Sequence, residues 1–232
     1  RIELMRAVHG DDAARRALLD ALPRLRDHEG AAQAAERLGV PTWWAERDLL
    51  ASKVLARRRA QPQPFREHAA VALLDDVERV LFEDTSSLVL RHLIIELSGK
   101  EVLDRFGELP LGGARALRAR VHKPDGRFAE AERHAGVDDL SLPDLAPGDV
   151  VELLTMERDG AAPWGGTFET RALDGVPTPA LSRRYQVSFP EGFDLSHGLR
   201  IIATHGLPPP VRERFLDAEG RPRVRLGFAL AD

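Results

Sequence analysis

The stretch Val77-Glu78-Arg79-Val80-Leu81-Phe82, then Glu83-Asp84-Thr85-Ser86, then Leu88 through Leu97 decides the fold class. Val77, Arg79 and Leu81 alternate with Glu78, Val80 and Phe82, the period of two that belongs to a β-strand. The four polar residues read as a turn and Leu88–Leu97 as the returning strand, so the stretch predicts a β-hairpin. The same logic extends downstream. Leu117, Ala119 and Val121 alternate with Arg118, Arg120 and His122. Lys123-Pro124-Asp125-Gly126 then supplies turn chemistry, Pro presetting φ and Gly permitting positive φ. Leu181, Tyr185, Val187 and Phe189 oppose Ser182, Arg184, Gln186 and Ser188, and Val224, Leu226, Phe228 and Leu230 form a last stripe. One apolar and one polar face per strand, without useful amphipathic helices between, predicts an antiparallel two-layer β-sandwich over residues 65–232.

Upstream the period is helical. Asp11 and Asp12 are N-cap residues ahead of Leu18, Leu22 and Leu25, and Ala31–Leu38 closes at Gly39. A third helix is expected from about Thr42 to Arg59, with Trp43, Trp44, Leu50, Val54 and Leu55 as its apolar cover. Arg57-Arg58-Arg59 lies at the negative end of its dipole and reads as a solvated helix end. Gln61-Pro62-Gln63-Pro64 ends helicity and marks a domain boundary. The expected class is therefore an α+β multidomain fragment: residues 1–64 as the end of a helical, repeat-like array, and a β-sandwich after it. The helices resemble tetratricopeptide-type repeats, although no clean period of about 34 residues is traceable.

Composition narrows the function classes. The 232 residues contain no Cys, which removes disulfides, thiolate metal sites and cysteine nucleophiles from this stretch. Residues 1–66 carry 13 Arg or Lys against 9 Asp or Glu, and the remainder 20 against 28. A formal +4 segment thus precedes a −8 segment, and neither has the dense basic stripe of a nucleic-acid binder. No run reaches the roughly 18 apolar residues of a membrane helix. The chain opens Arg1-Ile2-Glu3 without Met and is read as a piece of a longer polypeptide.

Several pieces in order carry a family resemblance. Val71-Ala72-Leu73-Leu74-Asp75-Asp76 looks like an opening strand and Leu90-Arg91-His92-Leu93-Ile94-Ile95 like a second. The Pro124-Asp125-Gly126 turn follows, then Leu142-Pro143-Asp144-Leu145-Ala146-Pro147-Gly148-Asp149-Val150-Val151-Glu152. Pro177 and Tyr185-Gln186-Val187-Ser188-Phe189-Pro190 complete the set. From about Ala70 to Asp232 the chain resembles domain of unknown function family 3857, a β-rich module N-terminal to transglutaminase-like domains in bacterial proteins. The resemblance implies a non-catalytic accessory or interaction module that positions a catalytic domain or a polypeptide substrate. It implies no cofactor, neighbouring domains of the same polypeptide as partners, and a periplasmic, envelope or secreted location. A transglutaminase-like domain would use Cys, His and Asp, and this chain has no Cys, so that chemistry would lie beyond Asp232.

Among His9, His28, His68, His92, His122, His134, His197 and His205, none pairs with another at metal-ligand spacing, so no metal site is expected. His92 reads as a partly buried, hydrogen-bonded histidine. Asp194, Ser196 and His197 form a polar loop, with no Gly-flanked nucleophile elbow. Asp75-Asp76 and Asp138-Asp139 read as strand-end or turn carboxylates. A cryptic glycoside hydrolase or lyase would need two of Asp138, Asp139, Glu152 and Glu157 in one cleft. Gly112-Gly113 and Gly165-Gly166 read as loop hinges, and Pro208-Pro209-Pro210 as a polyproline connector. Trp164 in Pro163-Trp164-Gly165-Gly166 either caps the sandwich or stacks on a sugar, which would make the module carbohydrate-binding. Trp43 and Trp44 are the other binding candidates, one packing locally and one left for an upstream repeat. No catalytic residue is expected.

Overall fold

The run Ala70–Leu81 forms β1, the strand on which the rest is built. The computed structural model describes residues 45–60, 67–82, 86–133, 139–159, 178–193, 209–216 and 221–231. Helix α1 spans Ala45–Ala60 and is followed by β1 and β2 (Ser87–Leu97). Then come α2 (Lys100–Gly107), β3 (Glu108–Pro110), β4 (Arg115–His122), β5 (Phe128–Glu130), β6 (Glu132–Arg133) and β7 (Asp139–Ser141). Strands β8 (Val150–Asp159), β9 (Ser182–Pro190), β10 (Val211–Leu216) and β11 (Pro222–Ala231) complete the order.

The expected hairpin is present: β1 and β2 pair antiparallel from Ala70↔Leu97 to Leu81↔Ser87. Beyond the last pair of the ladder the Phe82 amide donates to the Ser86 carbonyl at 2.9 Å. The expected stack of two antiparallel sheets is not what forms. Eight strands make one mixed sheet in the order β10-β11-β9-β1-β2-β8-β4-β5, with β1 and β9 running parallel at its centre. A small sheet, β3-β7-β6, lies over one face, where Leu109, Leu140 and Ala131 meet Ala116, Ala119 and Leu153. Helix α2 covers the same face through Val102, Leu103 and Phe106 against Leu93, Ile95, Leu97 and Val151. The apolar positions of β9 and β11 extend that face with Tyr185, Val187, Phe189, Val224 and Leu226.

The expected helical array is corrected as well. Among the described residues there are two helices and eleven strands, and no helical repeat. Helix α1 ends one residue past the expected Arg59. Its apolar residues Leu50, Ala51, Val54 and Leu55 pack on Val71, Leu73, Leu74, Ile94 and Val150 of the large sheet. The two helices expected upstream, through Leu18, Leu22 and Leu25 and over Ala31–Leu38, lie outside the described residues.

A β-bulge between Ala72 and Leu74 explains the non-alternating start of β1. It brings Leu73 and Leu74 together into the cluster under α1, while Ala70 and Ala72 point to the opposite cluster with Ile95 and Leu97. From Leu74 onward the even-numbered residues of β1 share the α1 face with the even-numbered residues of β2 and β8. Leu90 and Ile94 on that face are completely buried, each a contribution of about 1.5–3 kcal/mol.

Two turns carry the motif residues. In the Lys123–Gly126 turn the Gly126 amide donates to the Lys123 carbonyl at 2.9 Å with Gly126 at φ +90°, as its sequence requires. The Leu142–Asp149 loop reaches the same end of the sheet. Its buried Asp149 accepts from the Ala146 amide and from Lys123 Nζ, both at 2.8 Å. Lys123 therefore ties the two motif loops together. At Gly112 and Gly113, both with positive φ, the chain turns between β3 and β4 as the hinge reading expects. Gly99 precedes α2 where a Cβ would stand 2.5 Å from that of Ala69, so only glycine fits.

Candidate functional site

The carboxylates on the α1 face of the sheet form an ionic layer: they are buried and ion-paired, while several of their arginine partners reach toward solvent. Asp76 and Glu78, two apart on β1, project from that face, and Arg47 of α1 reaches down to both, 2.9 Å from Glu78 Oε2 and in contact with Asp76 Oδ2. Arg184 of β9 grips Asp76 with Nε donating at 2.9 Å and Nη2 at 2.7 Å. Glu78 also meets Arg225 of β11 at 3.3 Å and accepts from Ser188 Oγ at 3.3 Å. Asp76 is wholly buried and Arg47 nearly so. One guanidinium thus ties helix α1 to β1, whose two acids are held in turn by β9 and β11.

A second cluster lies beyond β2. Glu152 of β8 accepts from His122 Nε2 at 2.7 Å and faces His92 Nε2 at 3.2 Å, with Arg118 Nη1 at 3.6 Å. The register places these residues together: Ile94 and Arg120 flank Glu152 directly, and His92 and His122 stand one pleat away on either neighbouring strand. His92 Nδ1 is buried without a partner, so Nε2 is the ring atom that serves the cluster. Burial pushes the Glu152 pKa up, but the hydrogen bonds of His122 and His92 and the charges of His92 and Arg118 outweigh it. The net result lies well below the usual carboxylate range. Glu152 is thus held as the anion at neutral pH with both oxygens occupied, unsuited to proton donation there.

The opposite face repeats the pattern once. Asp75 lies 3.2 Å from Arg91 and 3.4 Å from Arg183. At the end of α1, Arg58 donates to both oxygens of buried Glu96, one contact being 2.8 Å, and its own pKa rises in consequence.

These contacts correct several expectations. Asp75 and Asp76 are mid-strand, buried and ion-paired rather than turn carboxylates. Arg58 is held by Glu96 and does not belong to a solvated helix end. His92 is fully buried and hydrogen-bonded. Glu152 and Glu157 leave β8 on opposite faces, so those two carboxylates share no cleft, and Asp139 sits in the small sheet on β7. Trp43, Trp44, Trp164, Asp138, Ser196 and His197 lie outside the described residues. Among the described residues no set of three or more His, Asp or Glu is arranged to hold a metal ion. The ionic layer was missed because a polar face was equated with a solvent face. Its signal was available: acids at a spacing of two in β1 and bases at a spacing of two in β4 and β11 are complementary stripes.

No family model matches the chain, and no curated protein does. Among solved structures, a candidate protease from Parabacteroides distasonis is similar at 12% identity and a TM-score of 0.49, over 70% of this chain and 35% of that one. An M1 zinc metallopeptidase from Deinococcus radiodurans is similar at 14% identity and a TM-score of 0.36, over 70% and 42%. Leukotriene A4 hydrolase from Saccharomyces cerevisiae is similar at 11% identity and a TM-score of 0.30, over 75% and 33%. This chain therefore spans well under half of each of these proteins. Likenesses so distant say nothing of activity.

Proposed function

We propose that this chain is a non-catalytic accessory and interaction module of a larger bacterial transglutaminase-like protein, positioning a catalytic domain or its polypeptide substrate. One observation supports the reading above others. Every buried carboxylate among the described residues, namely Asp75, Asp76, Glu78, Glu96, Asp149 and Glu152, is held by a cationic or histidine partner. A catalytic acid needs a carboxyl poised near its working pH, and a catalytic base needs an open lone pair. Carboxylates locked as these are suit a rigid scaffold that holds its strand edges and loops in fixed positions. The ordered family resemblance points the same way, and an envelope or secreted location follows from it.

The experiment is to purify residues 1–232 and assay amide, ester and glycoside hydrolysis against a heat-denatured control. The expected result is no turnover above the control. Turnover that disappears with folding would overturn the reading.

A further inference from the structure

The large sheet ends differently on its two sides. At one side stands β5, three residues long, with Arg120 held to Glu130 at 2.6 Å and stacked over Phe128 at 4.8 Å. An edge of three residues offers too short a ladder for a further strand. The other side is β10, six residues, Val211–Leu216, paired on one side only, with β11 from Val211↔Gly227 to Leu216↔Pro222. Its outer N–H and C=O groups meet no strand among the described residues. Val211 and Leu216 are 72% and 68% exposed. An extended, already ordered edge with apolar residues at both ends is a template for one more strand.

The charges on β10 select the occupant. Arg212 and Arg214 project from one face and Val211, Glu213 and Phe215 from the other. Glu213 is already engaged by Arg225 at 3.5 Å, and Arg225 in turn lies 4.4 Å over the Phe215 ring. Arg214 is shared with Glu191 at 3.0 Å yet remains 73% exposed, and Arg212 has no counter-ion among the described residues. A second copy is a poor partner. Antiparallel pairing of two β10 strands on a common face sets opposite each other residues two or a multiple of two apart. Centred on Glu213 it places glutamate on glutamate and Arg212 on Arg214; centred on Arg214 it places arginine on arginine. Like charges directly opposite are destabilising.

We propose that β10 is the docking edge for an extended polypeptide segment that presents acidic side chains, at alternate positions, to Arg212 and Arg214 and apolar ones to Val211 and Phe215. This rests on the interaction-module reading and names the partner class that such a module would take. Main-chain hydrogen bonds would supply affinity and the arginine pair would supply choice of partner.

The test uses the full chain and a fluorescein-labelled eight-residue peptide alternating aspartate and valine, followed by fluorescence anisotropy at low salt. Saturable binding in the micromolar range is expected, at least about tenfold weaker in Arg212→Glu/Arg214→Glu, a change of about 1.4 kcal/mol. That variant should instead prefer the peptide alternating lysine and valine. The aspartate–valine peptide N-methylated at alternate residues should lose binding to the unaltered chain, a control that involves no change to the protein. The inference is overturned if the lysine–valine peptide binds the unaltered chain equally well, if the charge reversal leaves affinity unchanged, or if N-methylation has no effect. Hydrolytic turnover with intact peptide binding would sink only the non-catalytic reading, and absent binding without turnover only this one.

Discussion

Replacing Glu152 by glutamine keeps the shape of the side chain and removes the charge that His92, His122 and Arg118 surround. Glu152 is 2% exposed, so water does not compensate. Removing one partner of a buried ionic cluster costs about 3–5 kcal/mol, and Glu152→Gln belongs at the low end because an acceptor oxygen remains. A loss of about 3 kcal/mol at pH 7 moves the urea midpoint down by about 1.5 M, taking a slope of about 2 kcal/mol/M. The effect should depend on pH with a definite sign. Because the folded pKa of Glu152 lies below the ordinary value of 4.5, its ionic contribution is fully present above pH 4.5 and is lost as pH falls toward the folded pKa. At pH 3, which is 1.5 pH units below that ordinary value, about 2 kcal/mol of it has gone, so the two proteins should differ by only about 1 kcal/mol. Urea titrations of both at pH 7 and pH 3 decide the matter. A difference that is small at pH 7, or that stays constant down to pH 3, refutes the account of Glu152 as a charged clamp.

Three further outcomes are expected. Arg47→Ala should cost about 3 kcal/mol in urea unfolding, since Asp76 keeps Arg184 and Glu78 keeps Arg225, whereas Arg57→Ala on the exposed side of the same helix should cost under about 0.5 kcal/mol. Gly99→Ala should lose about 1–3 kcal/mol through the clash with Ala69, and the double variant with Ala69→Gly should recover part of it in thermal melts. Gly126→Ala, at φ +90°, should cost about 1–2 kcal/mol and show as a lower midpoint without a change of slope.

Local chemistry was legible along the chain. The hairpin of β1 and β2, the Lys123–Gly126 turn, the Gly112-Gly113 hinge and the apolar stripes of β9 and β11 all follow from residue spacing and turn preference. Helix α2 was overlooked because eight residues with apolar positions at Val102, Leu103 and Phe106 make too short a period to separate from a loop. The ionic layer was overlooked for a different reason. A period of two says that Asp76, Glu78, Arg184 and Arg225 leave their strands on the polar side, and it carries no information on what will cover that side.

The sequence alone determined the course of the longer strands β1, β2, β4, β9 and β11 and the turn at Lys123–Gly126, because these depend on neighbours within a few residues. Only the tertiary structure decided that β1 and β9 lie parallel, that one mixed sheet forms in place of two stacked ones, and that Arg47 and Arg58 dock a helix on the charged side. Those outcomes turn on which distant cation meets which buried carboxylate. Asp76 finds Arg184 across 108 positions of chain, and a pairing of that kind is chosen by the energy of the assembled sheet rather than by any local pattern.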